Sequence, residues 1–251
     1  MTYNPEAIKN AVRRMECELD GLYFTRYFMK QRLGSKMILG RHHPVMQRAL
    51  DRTMLKPDDP DFISRLIITV PPGYTKTEMG VIAYMSRGLA INPKSRFMHL
   101  SYSHALALLN SATTREIVKS EKYQAMWPLS TKDDADSKSL WWTTNGGGVY
   151  ATSAAGQVTG FRAGHMDHAA TGFCGALIID DAVKPDDAYS EVKREAVNNR
   201  YNETIASRLA VESIPVILIM QRIHHHDLAG YLLQGGSGEM WHHLDLPVII
   251  Q

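Results

Sequence analysis

Cysteine is scarce in this chain: Cys17 and Cys174 are the two present. They stand too far apart for a C-x-x-C site, so neither a disulfide framework nor a cysteine zinc knuckle is expected. Buried thiols in a reducing compartment are. Long apolar runs are missing too, since no stretch approaches the roughly 20 residues of a membrane span, and the first residues lack the apolar core of a signal peptide. Both absences point to a cytoplasmic protein without a membrane partner. Charge of one sign is not in excess: 28 Lys and Arg against 26 Asp and Glu leave a formal net charge of +2. The field of the whole chain therefore does not announce nucleic acid, and any DNA contact needs a local basic patch. What is plentiful is apolar content, 44% of 251 residues, enough for the core of one large α/β domain.

The most informative stretch is 65–78, RLIITVPPGYTKTE. Leu66, Ile67, Ile68 and Val70 form a short apolar, β-branched run that stops where Pro71 and Pro72 remove the ladder donors, as a buried strand would. From Glu78 onward, Met79, Ile82 and Ala83 recur at helical spacing, so Lys76 and Thr77 fall on the first turn of a helix. Strand, turn, Lys-Thr and helix together make a phosphate-binding loop: free N–H groups face the phosphates, a lysine reaches the terminal ones, and a hydroxyl holds Mg2+. Pro72, Gly73, Tyr74, Thr75, Lys76, Thr77 and Glu78 are the candidate nucleotide-binding residues. The loop is irregular, because Val70 and Thr75 occupy the glycine positions of G-x-x-x-x-G-K-[ST]. An ordinary strand-turn-helix with an exposed lysine is the competing reading.

Ahead of this loop, 5–33 carries Leu19, Leu22, Tyr23, Tyr27 and Phe28 at helical spacing. A further helix follows Pro44, with Val45, Ala49, Leu50 and Met54 on one face. His43, just upstream of the loop, either borders an adenine or caps the helix at the surface. Beyond the loop come a strand over 95–101 and a helix over 102–123, with Leu106, Leu109, Ala112 or Thr113, and Ile117 on its packed side. A solvated charged loop follows at 132–138, then two β-rich runs around an Asn-Gly turn, where Trp141 and Trp142 serve as core bulk.

A glycine-rich loop at 156–175 contains one arginine, Arg162, and leads into ALIIDD. Four apolar residues ending in two acids read as a strand presenting both carboxylates at its C-terminal edge. Asp180 is then the Mg2+-holding acid and Asp181 the acid that polarises the attacking water. Alone, a strand ending in acids is a capped turn; paired with the Lys-Thr loop it becomes the second half of a nucleotide site. Charged helix is expected over 185–209, then a central parallel strand over 214–220. Gln221, at the end of that strand, is either a γ-phosphate sensor or a plain strand terminus. His224, His225 and His226 are consecutive, and neighbours in one chain rarely converge on one tetrahedral ion. The tail reads as a glycine-rich loop followed by a strand or linker.

Four blocks in this order carry a family likeness: VPPGYTKTE, SYSHALALLNSATTREIVKSEKY, TGFRAG followed by LIIDD, and QRIHHHDLAGYLL. Over most of 20–250 the chain resembles the ATPase domain of the large terminase subunit of tailed bacteriophages. It departs from that family at Gly73, where an arginine is frequent, at Ile223, where tryptophan is, and at His225 and His226, where acids are. With no arginine at Gly73, the resemblance implies Arg162 as an arginine finger reaching a neighbour's site. It further implies ATP as substrate with Mg2+ as cofactor. The implied partners are double-stranded viral DNA, a portal protein, a small terminase subunit and further copies in a homo-oligomeric ring, a pentamer, in the host cytoplasm. The expected fold is α/β, a mostly parallel sheet flanked by helices, of the ASCE (RecA-like) P-loop NTPase type with an extra strand between the phosphate-loop strand and the Asp-Asp strand. The expected organisation is a helical, adenine-side segment at 1–60, an ATPase core at 61–243 and, at 244–251, the start of a linker to a nuclease domain that this chain lacks, so no nuclease activity is expected. A helicase-like DNA-dependent ATPase and a non-hydrolysing nucleotide-binding scaffold are the alternatives.

Overall fold

The computed structural model describes residues 4–132 and 137–247. Most of the charged loop expected at 132–138, and residues 248–251, lie outside the described residues. Three helices come first: α1 (Pro5–Leu19), α2 (Gly21–Leu33) and α3 (His42–Arg52). Asn4 and Asp20 start α1 and α2 by accepting from the free N–H groups of the first turn, the usual remedy for orphan donors. Strand β1 (Arg65–Thr69) leads into the phosphate-loop candidate, a π-helical turn (Glu78–Ala83) and α4 (Tyr84–Ile91). Strand β2 (Arg96–Ser101), helices α5 (His104–Lys119) and α6 (Glu121–Gln124), and the hairpin β3 (Leu140–Trp142) and β4 (Gly148–Ser153) follow. A short α7 (His168–Thr171) precedes β5 (Leu177–Asp180); α8 (Glu191–Arg200), β6 (Val216–Met220), α9 (Leu228–Leu233) and β7 (His242–Asp245) complete the order.

The seven strands form one sheet in the order β3-β4-β2-β5-β6-β1-β7. Every pair is parallel except β3 with β4. Strand β6 therefore lies between β1 and β5, the inserted strand expected of this fold. Strands buried on both faces need apolar residues at consecutive positions, and β1, β5 and β6 are buried throughout. Alternation sends Leu66, Ile68, Ile217 and Ile219 to one core, shared with α1 to α4, and Ile67, Leu177, Ile179 and Leu218 to the other, beneath Phe161, Tyr201 and Leu228. The first core includes Phe24, Phe28, Met46 and Leu50, so the N-terminal helices share a core with the sheet.

Two expectations about helix faces change. Thr113 and Ile117 of α5 are buried as expected, but Leu106 and Leu109 are 40% and 60% exposed, and the helix buries Ala107, Asn110, Ser111 and Thr114 in their place. Small and polar residues let it lie close to the sheet, where Asn110 bonds His99 and Ser111 accepts from the Trp141 indole. Leu19 is 81% exposed at the end of α1, because the chain turns at Asp20 before α2 begins. Strand β7, in the tail expected to be a strand or linker, pairs with β1 along Leu66–Thr69, and Leu246 N–H still donates to Thr69 O. Among the described residues no helix is long and apolar enough to cross a membrane.

Candidate functional site

The C-terminal ends of β1, β5 and β6 bring three segments together. At the end of β1 the chain turns through Pro72 and Gly73, the latter at φ 82°, and Thr75 at φ 58°, before Lys76 and Thr77 open the helix. Positive φ suits glycine and is a true outlier for a β-branched residue. The first full turn then runs as a π-helix, a form that recurs at functional sites. Gly80 in this turn lies so close to β6 that a Cβ there would sit 2.0 Å from Ile219 Cδ1.

Strand β5 delivers the two acids at different heights. Asp180 is its last residue, 5% exposed, and one carboxylate oxygen accepts from Thr77 Oγ1 at 2.7 Å. Its other oxygen, Oδ1, is buried without a partner. Burial first, then the neighbouring Asp181 charge, pushes the Asp180 pKa up to about 6, against the Thr77 bond and the Lys76 charge, which lower it. Asp181 turns out of the strand at φ 49°. Its backbone is pinned on both sides, N–H to Ile219 O and C=O to Tyr102 N–H. The carboxylate accepts from Lys76 Nζ at 2.5 and 2.6 Å and from the Gln221 N–H at 3.4 Å. Two non-glycine residues with positive φ, Thr75 and Asp181, thus flank the same lysine. Such conformations cost about 1–3 kcal/mol each and persist where the surroundings over-determine them, as at active sites.

These contacts decide what a metal or phosphate meets here. An unpartnered, buried carboxylate oxygen beside a hydroxyl is a donor set that suits Mg2+, which takes few protein ligands and completes its shell with phosphate and water. The described residues hold no group of three His, Cys, Asp or Glu placed to bind a metal by themselves, which leaves Thr77 and Asp180 as the pair that would do so with a substrate. Beside the loop lies a cavity of about 500 Å³ lined by Met29, Met37, Leu39, His42 and Tyr74 among others. The His42 and Tyr74 rings stand 4.8 Å apart at its wall.

Of the residues expected at the site, Pro72 and Gly73 are exposed on the turn, and Tyr74, Thr75, Lys76 and Thr77 line it. Glu78 is ion-paired with Arg32. Gln221 sits beside Asp181 through its backbone. His43 lies at the cavity, yet both ring nitrogens are engaged, Nδ1 by the Gly40 N–H and Nε2 by Thr75 Oγ1. A place bordering the base at this cavity would therefore be one of ring contact, since both nitrogens already have partners. Arg162 is not brought to this edge. Its guanidinium donates to Leu209 O, Ala163 N–H bonds Arg208 O, and Gly164 N–H bonds Arg96 O at the start of β2. Arg96 opens β2 and the phosphate loop follows the end of the parallel β1, so the Arg162 segment lies at the opposite sheet edge from the chain's own phosphate loop. Arg222, beyond Gln221, is used structurally: it grips Asp227, the buried N-cap of α9, and the carbonyls of His224 and His225.

Two solved structures are similar to this chain in fold. The large terminase of bacteriophage HK97 superposes with a TM-score of 0.51 at 14% identity, over 88% of this chain and 41% of that one. The fold is that of a P-loop NTPase. Dbp5 of S. cerevisiae, an L327V form bound to Nup159, Gle1 H337R, IP6 and ADP, superposes with a TM-score of 0.50 at 15% identity, over 91% of this chain and 52% of that one. The chain thus spans about half or less of either protein. No family model matches the sequence, and no curated protein does. Sequence reasoning missed the Thr75–His43 link and the strained Asp181. Thr75 in a glycine position was the available signal for the first; nothing local marks the second.

Proposed function

We propose that the chain is the ATP-hydrolysing motor domain of a viral DNA-packaging terminase, acting on Mg-ATP and coupling its turnover to movement of double-stranded DNA. One observation carries the reading: Lys76 and Thr77 of the loop are bonded to Asp181 and Asp180 across the inserted strand β6. A lysine, a hydroxyl and two acids in those roles are what phosphoryl transfer from ATP to water requires.

The steps follow from the residues. Arriving phosphates compete with Asp181 for the Lys76 ammonium, since the lysine already points into the loop and needs only to exchange one set of oxygens for another. Asp181, released from the ion pair, is then a free carboxylate at the end of β5, able to orient water for in-line attack and accept its proton. Thr77 and Asp180 would hold Mg2+, whose role is to neutralise charge on the phosphate oxygens. The loop N–H groups at the helix start fix the phosphates, so positioning and charge supply most of the acceleration. The cavity beside Tyr74 takes the base by apolar contact. A further positive charge is proposed to come from Arg162 of an adjacent copy in a homo-oligomeric ring, because the chain's own Arg162 stands too far away. A pentamer, portal protein, small terminase subunit and host cytoplasm belong to this reading through the sequence resemblance.

A second reading, a helicase-like ATPase, draws on the comparable likeness to Dbp5. Phosphate release by the purified chain, measured alone, with double-stranded DNA and with single-stranded nucleic acid, separates the two. Stimulation by duplex DNA without strand separation supports the packaging motor. Stimulation confined to single strands, with unwinding, supports the helicase, and ATP binding without any turnover supports a scaffold.

A further inference from the structure

Thr75 stands where the phosphate-loop pattern has its second glycine, and at φ 58° it adopts the conformation that glycine takes freely and a β-branched residue avoids. Something must hold it there. The one side-chain bond to Thr75 among the described residues comes from His43, 32 positions upstream, whose Nε2 lies 2.6 Å from Thr75 Oγ1. The direction of that bond is fixed by the other nitrogen. Gly40 N–H donates to His43 Nδ1 at 2.7 Å, so Nδ1 accepts and the ring proton sits on Nε2, which donates to the threonine. The hydroxyl keeps its own proton to donate elsewhere.

The histidine is itself rigid. It is buried in the first turn of α3, with the His42 ring 3.8 Å from its own. Burial, helped by His42, lowers its pKa, which favours the neutral ring that this tautomer requires.

We infer that His43 is a positioning residue for the phosphate loop, its Nε2–H holding Thr75 in the left-handed turn that a glycine would otherwise supply. The inference rests on the nucleotide reading above and adds to it. The chain has replaced a residue free to turn by one that is held in the turn. In the absence of the bond, Thr75 relaxes toward negative φ and carries the Lys76 N–H out of line. The binding-competent loop becomes a minor state, and apparent affinity falls in proportion to its population.

The test is a double-variant cycle on the full chain. Affinity for a fluorescent, non-hydrolysable ATP analogue with Mg2+ is measured for the wild type, His43→Ala, Thr75→Gly and the double variant. His43→Leu, which keeps buried bulk without a donor, runs through the same cycle in case the alanine variant folds poorly. In the Thr75 background, loss of His43 is expected to weaken binding about tenfold, the scale of one hydrogen bond. In the Thr75→Gly background, whatever its own affinity, loss of His43 should change binding by less than about twofold, because glycine needs no restraint. A tenfold loss that persists with glycine at 75 would overturn the inference, as would no loss with threonine. Lys76→Ala separates the two levels. If it binds the analogue like wild type, the nucleotide reading fails; if it loses binding while His43 and Thr75 are uncoupled, only the positioning role fails.

Discussion

Replacing Asp180 with asparagine should make the protein more stable at pH 7.5 in the absence of nucleotide and Mg2+, although it damages the site. The carboxyl is 5% exposed and its pKa is pushed from 3.8 to about 6. A shift of that size corresponds to about 3 kcal/mol of penalty for holding the charge in the folded state above pH 6. Asparagine keeps an oxygen for Thr77 but gives up a charge-assisted bond worth about 1 kcal/mol more than a neutral one, and it must find an acceptor for its amide. The net gain is therefore about 1–2 kcal/mol, or about 4 °C in melting temperature for a chain of this size. Its sign follows from proton binding. Between pH 3.8 and about 6 the folded state binds more protons at Asp180 than the unfolded state does, so wild-type stability declines across that window as pH rises. The variant lacks this decline, and its advantage should be small at pH 4 and complete above pH 7. Urea melts of both proteins from pH 4 to 8 measure it. Mg-ATP should then reverse the order, stabilising the wild type by mass action and the variant hardly at all. A variant that is less stable at pH 7.5, or whose advantage does not change with pH, refutes the reasoning.

Lys76→Ala is expected to abolish phosphate release and to weaken ATP binding, as seen by calorimetry; retained turnover would remove the loop assignment. Asp181→Asn should bind Mg-ATP nearly as the wild type does while turnover falls at least about a hundredfold, the scale of general base catalysis, and hydrolysis at the wild-type rate counts against its role. His99, fully buried on β2, has its pKa lowered to about 4 by burial. The unfolded chain then binds the extra proton between pH 6.5 and 4, so this residue costs about 3 kcal/mol of stability as pH falls through that range. In His99→Gln the corresponding slope, read as the difference from wild type in urea melts, should be absent.

The parts of the fold legible in the sequence are those where one local pattern had one structural solution. The runs that became β1, β5 and β6 are continuous and apolar because both faces are covered, and the residues ending them, Lys76 and Thr77 after β1 and Asp180 and Asp181 on β5, meet because parallel strands end at one edge. Leu106 and Leu109 of α5 lie outside the packed face, unlike Thr113 and Ile117, because that face is chosen partly by bonds to His99 and Trp141, which periodicity does not record. Arg162 stands at the far edge of the sheet because a loop leading into a strand lies at the strand's start, and the role expected of it is at a neighbour's site rather than at the chain's own. The bond from His43 to Thr75 is not legible in the sequence because it depends on how α3 packs.

The most direct test of the account is a crystal structure of the chain with a non-hydrolysable ATP analogue and Mg2+. The account predicts that Lys76 Nζ leaves the Asp181 oxygens, now 2.5 and 2.6 Å away, for the terminal phosphates, that Thr77 and Asp180 adjoin the metal, and that Asp181 faces the γ-phosphate through water. An analogue bound elsewhere, with the Lys76–Asp181 pair intact, would contradict it.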